Sequence, residues 1–179
     1  MDGKEEKELK IRILAAAVLL LVVGCAIMEP VEVREEKYGK ATPVISKAFA
    51  SPRLSPGDTW KVYLNASDPD GDMKAIICTM EQPGRGSYPV SRTRIPANQR
   101  RDLSGYVYLN TRDSESIENT SLTMALQVQD EAGHYSAPVL LPLFLQFKAK
   151  QGTPPPELFQ NRDLGPIMIR LDAGLGTAR

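Results

Sequence analysis

A two-residue alternation of apolar and polar side chains runs through the middle of the chain. In one segment the apolar positions are Trp60, Val62, Leu64 and Ala66, and in another they are Leu122, Met124, Leu126 and Val128. Because successive side chains of a β-strand point to opposite faces, this spacing predicts strands with one buried and one solvated face. We therefore expect an all-β fold.

Seven short segments have the composition of strands, and turn residues separate most of them. They are residues 43–50, 59–66, 73–80, 88–94, 105–111, 122–128 and 139–147. This number and spacing predict a single antiparallel β-sandwich of about seven strands, within residues 41–150. Pro142 removes a backbone donor from the last segment, which is therefore expected to be an edge strand or a bulged one.

Two turn motifs give the chain a family resemblance. Residues 66–72 read Ala-Ser-Asp-Pro-Asp-Gly-Asp and resemble the A-x-D-P-D-G-D motif of bacterial immunoglobulin-like, PKD-like and cadherin-like domains. Residues 126–136 are similar to the V-x-D-x-x-G-N-x-S motif near the last hairpin of those domains, with His134 where Asn is usual. The resemblance spans about residues 42–147 and implies an immunoglobulin-like sandwich. It does not indicate a particular function, because this fold serves many unrelated roles.

The same resemblance raises the question of calcium. In calcium-binding members of that superfamily acidic loops supply oxygen ligands, and the matching positions here are Asp68, Asp70, Asp72 and Asp130. Calcium requires six to eight oxygen ligands. Cadherin sites lie between consecutive domains, whereas one domain is expected here. Turn formation explains the Asp-Pro-Asp-Gly sequence without a metal. We therefore expect no cofactor, and calcium is the alternative.

The amino-terminal region has the pattern of an export signal. Residues 13–28 form an apolar run shorter than the roughly 20 residues of a transmembrane helix. The run contains Leu-Val-Val-Gly-Cys at residues 21–25, which resembles the lipobox of bacterial lipoproteins. This predicts a signal peptide over residues 1–24, a lipidated Cys25, and a charged tether over residues 25–40. An uncleaved single-pass signal anchor is the alternative.

The lipobox resemblance also implies a location. A lipidated Cys25 would attach the protein to a membrane of the bacterial cell envelope. Ala26 follows it where an Asp would favour the inner membrane, so the resemblance implies the outer membrane, facing the periplasm or the cell surface. Nucleic acid is not an expected partner outside the cytoplasm.

The residues for catalysis are few. His134 is the only histidine of the chain, and it falls at a turn position. Once Cys25 is lipidated, Cys78 is the remaining cysteine, and its apolar neighbours indicate a buried side chain. These residues do not form a nucleophile–base pair or a histidine metal site, so we expect a protein that is not an enzyme.

An arginine cluster occupies residues 82–101, where no acidic residue occurs. Its members include Arg92, Arg94, Arg100 and Arg101. Arginine forks bind phosphate and carboxylate groups, so this hairpin is a candidate site for an anionic glycan or a lipid headgroup. The alternative is a solvated hairpin whose charges are balanced by Asp113, Glu115 and Glu118.

The proline run at residues 154–156 predicts a break before a tail over residues 151–179. Within the tail, Ile167, Ile169 and Leu171 alternate with polar or flexible residues, as in a short strand. Such a segment is free to cover an edge of the sandwich, to pair with a partner's sheet, or to stay mobile.

Together these patterns predict a lipid-anchored envelope protein whose sandwich is a non-catalytic, protein-binding or scaffolding accessory subunit. A binding module for anionic glycans or headgroups is the alternative from a different class.

Overall fold

The computed structural model describes residues 29–171, so the predicted leader and Cys25 lie outside the described residues. Among these residues there are one α-helix, two short 3₁₀ helices and ten strands. The helices are α1 (Val31–Tyr38) and the 3₁₀ turns Ala97–Gln99 and Glu115–Ile117. The strands are β1 (Val44–Ala50), β2 (Arg53–Leu54), β3 (Thr59–Ser67), β4 (Met73–Gln82), β5 (Gly86–Ser87), β6 (Ser91–Arg94), β7 (Asp102–Asn110), β8 (Ser121–Asp130), β9 (Val139–Leu145) and β10 (Asp163–Pro166).

The strands form two sheets that enclose one apolar core. The first sheet has the order β1-β3-β7-β10, and the second has the order β2-β9-β8-β4-β5 with β6 also paired to β4. The alternating residues of β3 and β8 point into the core, as their spacing predicts. Trp60 is fully buried, and its indole N–H donates to the Ser51 carbonyl at 2.7 Å. The all-β sandwich is confirmed.

The sheets are mixed, whereas a purely antiparallel sandwich was predicted. Strand β2 pairs in parallel with β9, and β10 pairs in parallel with β7. Both added strands are short, and β10 contains Gly165 and Pro166. Segments of two to four residues with such a composition carry no alternation, which is why the sequence pattern did not reveal them.

On one side of the sandwich the edges are poorly suited to further strand pairing. Phe144 donates its backbone N–H to the Pro52 carbonyl, so it directs that group toward the outer edge of β9. Pro142 lies two residues earlier, faces the same edge, and has no N–H to donate. On the facing edge, the pairing of β1 with β3 shifts register between Ile45 and Lys47. Prolines, bulges and lysines all discourage added strands.

The carboxyl-terminal tail closes the opposite side. After β10, the side chains of Ile167, Ile169 and Leu171 join the core and are at most 6% exposed. The Met168 N–H donates to Ser91 Oγ at 2.8 Å, and the Thr93 hydroxyl donates to the Pro166 carbonyl at 3.0 Å. The tail therefore pairs with the first sheet and hydrogen-bonds to β6 of the second. The three apolar residues proposed as a partner strand are buried against the protein's own core.

The amino-terminal segment contains a helix within the region predicted as a tether. Helix α1 has no buried residue, so polar contacts hold it to the sandwich. The helix ends at Tyr38 and is capped by Gly39, which has a φ of +116°, and a Cβ there would lie 2.0 Å from Asp70 Oδ2. Glycine at this position thus permits both the turn and the close carboxylate. No helix within residues 29–171 is long and apolar enough to cross a membrane.

Candidate functional sites

Three aspartates meet at the end of the sandwich where β3 leads into β4 and β8 ends. Met73 at the start of β4 pairs with Asp130 at the end of β8, which brings the two loops together. Asp68, Asp72 and Asp130 are between 1% and 8% exposed. One carboxylate oxygen from each lies within 4.8 Å of the others. We call these three residues the aspartate cluster.

The members of the aspartate cluster differ in their hydrogen bonds. Asp130 Oδ1 accepts from the backbone N–H groups of Gly133 and His134 at 2.6 and 2.7 Å, and Oδ2 lies 2.9 Å from His134 Nδ1. Asp68 Oδ1 accepts from the Asp70 N–H at 3.0 Å. Asp68 Oδ2 and both oxygens of Asp72, by contrast, are buried and have no hydrogen bond of good geometry among the described residues. The Asp72 carboxyl is nevertheless close enough to Asp68 and to the backbone of Glu131 and Ala132 for these groups to affect its pKa.

Asp70 does not belong to this cluster, although the sequence resemblance grouped all four aspartates. Its Oδ2 accepts from the Ala41 N–H at 2.8 Å and thereby fixes the chain that follows α1. Burial, followed by the neighbouring Asp68, raises the pKa of Asp72 to about 6. The three buried carboxylates are of the ligand type that hard cations prefer.

His134 connects the aspartate cluster to α1. Its Nδ1 lies 2.9 Å from Asp130 Oδ2, and its Nε2 lies 3.1 Å from Glu35 Oε1 on the helix. Burial lowers the pKa of His134, but hydrogen bonds and charge from Glu35 and Asp130 outweigh this effect and raise it above the usual value. His134 therefore bridges the loop and the helix.

A second candidate site is a cleft of about 350 Å³ on the outer face of the second sheet. It is lined by Lys74, Ala75, Arg92, Arg94, Gln129 and Glu131, and we call it the basic cleft. In the register of the sheet, Ala75 lies opposite Arg94 on one side and Gln129 on the other. Arg92 Nη1 donates to Gln129 Oε1 at 2.7 Å, so the arginine side chain reaches across β4.

The charges of the basic cleft are partly neutralised by a single carboxylate. Glu131 Oε2 lies 2.9 Å from Lys74 Nζ, and Glu131 Oε1 lies 3.1 Å from Arg100 Nη1. Within residues 29–171, Arg92 and Arg94 have no acidic partner. Three cationic side chains thus line the cleft beside one carboxylate.

The predicted counter-charges of the hairpin lie elsewhere. The start of β7 pairs with the end of β3 and Asn110 pairs with Thr59, so the residues after β7 lie at the opposite end of the sandwich. Asp113, Glu115 and Glu118 follow Asn110 and are therefore distant from the cleft. Arg101 is also outside it, because its guanidinium lies beside Gly71.

Cys78 has the buried position that its apolar neighbours predict. It lies on the core side of β4 and is 1% exposed. Burial raises the pKa of its thiol to about 12, so the thiol stays protonated and unreactive near neutral pH.

Sequence reasoning missed Lys74, Gln129 and Glu131 in the cleft, and Glu35 beside His134. Glu131 occupies a variable position of the resembling motif, so the motif gave no signal for it. Alternation within β4 and β8 would have placed Ala75 and Gln129 on one face, but the pairing of the strands was needed to bring them together. No protein-family model matches the chain, and no curated protein shows significant similarity to it.

Proposed function

We propose that the protein is a lipid-anchored, non-catalytic component of the bacterial cell envelope that binds phosphate groups of anionic lipid headgroups in its basic cleft. One observation carries this proposal. Three cationic side chains line the cleft beside one carboxylate, at the end of the sandwich that also carries α1.

The immunoglobulin-like character of the sandwich is part of the proposal. The sheet orders β1-β3-β7 and β9-β8-β4 agree with the A-B-E and G-F-C orders of that fold. In such domains the loops at the ends of the sandwich often bear the binding residues. The aspartate cluster and α1 lie at one of these ends, and the basic cleft borders it through Glu131.

The position of α1 supports a cleft close to the membrane. Glu131 of the cleft and His134, which contacts α1, belong to the same loop. Five residues separate Cys25 from the start of α1, and an extended chain across that gap spans at most about 20 Å. A lipid anchor at Cys25 would therefore hold this end of the sandwich near the bilayer surface.

The chemistry of the cleft suits phosphate. Arg92 and Arg94 present guanidinium groups, which bind phosphate oxygens through two parallel hydrogen bonds. The hydrogen bond from Arg92 Nη1 to Gln129 Oε1 already orients this guanidinium. A preordered donor loses less conformational entropy when it binds.

Vesicle binding tests the proposal. The chain from residue 26 is mixed with phosphatidylcholine vesicles, with or without phosphatidylglycerol, and the bound fraction is measured by co-sedimentation. We expect binding that depends on phosphatidylglycerol and falls at least about tenfold in an Arg92→Ala, Arg94→Ala double variant, since each lost charge near an anionic surface is worth about 1 kcal/mol.

The matched control removes the same charge from the other end of the sandwich. Arg53 and Arg112 are exposed there, and an Arg53→Ala, Arg112→Ala variant has the same net charge as the cleft variant. Equal binding losses in the two variants would mean that only net charge matters, and the cleft would then lose its assigned role.

A protein-binding or scaffolding role is the second candidate. Two apolar residues on the neighbouring strands β1 and β9, Val44 and Leu140, are 56% and 64% exposed. Photo-crosslinking from position 140 in intact cells tests for a protein neighbour, with position 112 as the control. A specific crosslinked species from position 140 would support scaffolding.

The anchor itself is tested by the intact mass of the protein extracted from its native membrane. A species beginning at Cys25 with added acyl mass would support the lipoprotein. An unmodified full-length chain would replace it with a single-pass signal anchor.

A further inference from the structure

The outer face of the first sheet contains a cleft that the proposed function does not use. Its volume is about 310 Å³, and we call it the polar cleft. It lies where β1 and β7 begin and β3 ends, beside the chain that leads into β10. Ser67 lines it and directly precedes Asp68 of the aspartate cluster. The polar cleft and the basic cleft therefore border the same end of the sandwich, on opposite sheets.

Hydrogen bonds among its own residues order the floor of the polar cleft. The Asn65 amide nitrogen donates to the Leu158 carbonyl at 2.9 Å, and the Asn65 amide oxygen accepts from Ser104 Oγ at 2.7 Å. Ser104 Oγ also accepts from the Gln160 backbone N–H at 3.0 Å. These bonds fix the segment before β10 to the sheet. The wall that carries Gln160 and Arg162 is thus in place before a ligand binds, which lowers the entropic cost of binding.

The side chains that remain available carry one charge of each sign. Asp102 and Arg162 are the charged residues that line the polar cleft, and both are exposed. Within residues 29–171 they form no ion pair with each other or with another group. The Ser67 hydroxyl and the Gln160 side-chain amide are also without hydrogen bonds in this range. The cleft therefore presents separate positive and negative groups, together with uncharged donors and acceptors.

A ligand that complements this lining carries both charges itself. A purely anionic ligand would be repelled by Asp102, and a purely cationic ligand would be repelled by Arg162. A guanidinium binds a phosphate through two parallel hydrogen bonds, and a carboxylate accepts hydrogen bonds from a primary ammonium. We infer that the polar cleft binds a phosphoethanolamine group, with Arg162 on the phosphate and Asp102 on the ammonium.

The separation of the two charges favours phosphoethanolamine over an amino acid. An amino acid carries both charged groups on one carbon atom, whereas an oxygen and two carbon atoms separate the phosphorus and nitrogen of phosphoethanolamine. The longer ligand suits Asp102 and Arg162, which do not contact each other. The volume is at the small end of the range for ligand sites, so the cleft suits a headgroup and not a whole lipid. A membrane source for the ligand rests on the proposed function, but the charge pairing does not.

Titration with soluble headgroups tests the inference without a membrane. The ¹⁵N-labelled full-length protein in dodecyl maltoside micelles is titrated with glycerophosphoethanolamine and, separately, with glycerophosphocholine. We expect glycerophosphoethanolamine to shift the NMR signal of the Gln160 side-chain amide in a saturable way. Glycerophosphocholine should bind about fivefold more weakly or less, because its quaternary ammonium has no N–H to donate to Asp102.

Variants of the two charged residues separate the two ends of the ligand. Neither side chain has a hydrogen bond or ion pair to lose within residues 29–171, so both variants should fold. Asp102→Asn should bind the two headgroups equally, and Arg162→Gln should weaken the binding of both by about fivefold or more. Asp113→Asn and Arg112→Gln make the same charge changes at exposed positions of the opposite end, and they should bind like the wild type.

Three results would overturn the inference. They are a wild-type protein without a saturable shift at Gln160, a wild-type protein that binds the two headgroups equally, and an Asp102→Asn variant that still prefers glycerophosphoethanolamine. Glycine that displaces glycerophosphoethanolamine at equal concentration would also overturn it and would indicate an amino-acid site.

Vesicles distinguish the two sources of the ligand. Co-sedimentation of the chain from residue 26 that rises when phosphatidylethanolamine is added to phosphatidylcholine, and falls in Asp102→Asn, supports a lipid ligand. Unchanged co-sedimentation supports a soluble phosphoethanolamine compound. The Arg92→Ala, Arg94→Ala variant should bind glycerophosphoethanolamine like the wild type, so a failure of the basic cleft and a failure of the polar cleft are distinguishable.

Discussion

The two segments that flank the sandwich attach to it in different ways. The carboxyl-terminal tail adds a strand to one sheet and places three apolar side chains in the core. Helix α1 buries no residue and contacts the loops through Glu35 and the chain around Gly39. The sequence predicted a tether for the amino-terminal region and left three roles open for the tail, one of which was to cover an edge of the sandwich.

The difference shows how composition sets the strength of docking. Apolar burial stabilises by roughly 25 cal/mol per Å², so three buried aliphatic residues give a large contribution. A partly exposed ion pair such as His134–Glu35 is worth roughly 1 kcal/mol. The tail is therefore expected to unfold with the domain, whereas α1 is expected to detach locally well before global unfolding.

The largest expected effect comes from the buried face of the tail. Ile169→Ala should lower the free energy of unfolding by about 2–5 kcal/mol, because it removes buried methyl groups and leaves a cavity. Met168 is 75% exposed, so Met168→Ala should change the free energy of unfolding by less than about 0.5 kcal/mol. Denaturant unfolding measures both. Equal small effects would mean that the tail is not docked in solution.

A smaller effect on the free energy of unfolding is expected when the polar contact between the tail and β6 is removed. Ser91 is buried and its Oγ accepts from the Met168 N–H. Ser91→Ala leaves that donor without a partner and should cost about 1–3 kcal/mol of unfolding free energy. Ser87 is exposed on β5, and Ser87→Ala should have almost no effect in the same denaturant measurement. Faster hydrogen exchange at Met168 in the Ser91 variant would locate the loss in the tail.

Removing the contact between α1 and His134 should have a small effect on the free energy of unfolding and a clear effect on the pKa of His134. Glu35→Gln removes the carboxylate beside His134 Nε2, so the pKa of His134 should fall toward its usual value. An NMR titration of the single histidine measures this change. Glu32→Gln, on the first turn of α1, is the control and should leave the pKa unaltered. An unchanged pKa in Glu35→Gln would mean that α1 is not docked.

The smallest expected effect is the pH dependence that follows from His134. Its pKa is higher in the folded state, so the protonated form stabilises that state. This contribution is fully present below the unfolded-state pKa of about 6.5 and is lost as pH rises through the folded-state pKa. Denaturation in chelator at several pH values should show this decline, and Glu35→Gln should weaken it. A flat profile in the wild type would contradict the bridge to α1.

The sequence determined the strands whose side chains alternate. All seven predicted segments contain a strand, because alternation records which face of an element is buried and needs no knowledge of its partners. The same local information placed Cys78 in the core and identified the loops that contain Asp68, Asp72 and Asp130. The apolar run and the Leu-Val-Val-Gly-Cys sequence at residues 21–25 predict export in the same local way, and the intact mass of the extracted protein tests that prediction.

The tertiary structure decided which side chains meet. Asp70 and Asp72 are two positions apart in one acidic loop, yet one binds the chain after α1 and the other joins Asp68 and Asp130. Glu131 became the counter-charge of the basic cleft because the pairing of β4 with β8 places it beside Lys74. The tail entered the core because β7 offered an unpaired edge. Such contacts join residues far apart in the chain, and local patterns do not record them.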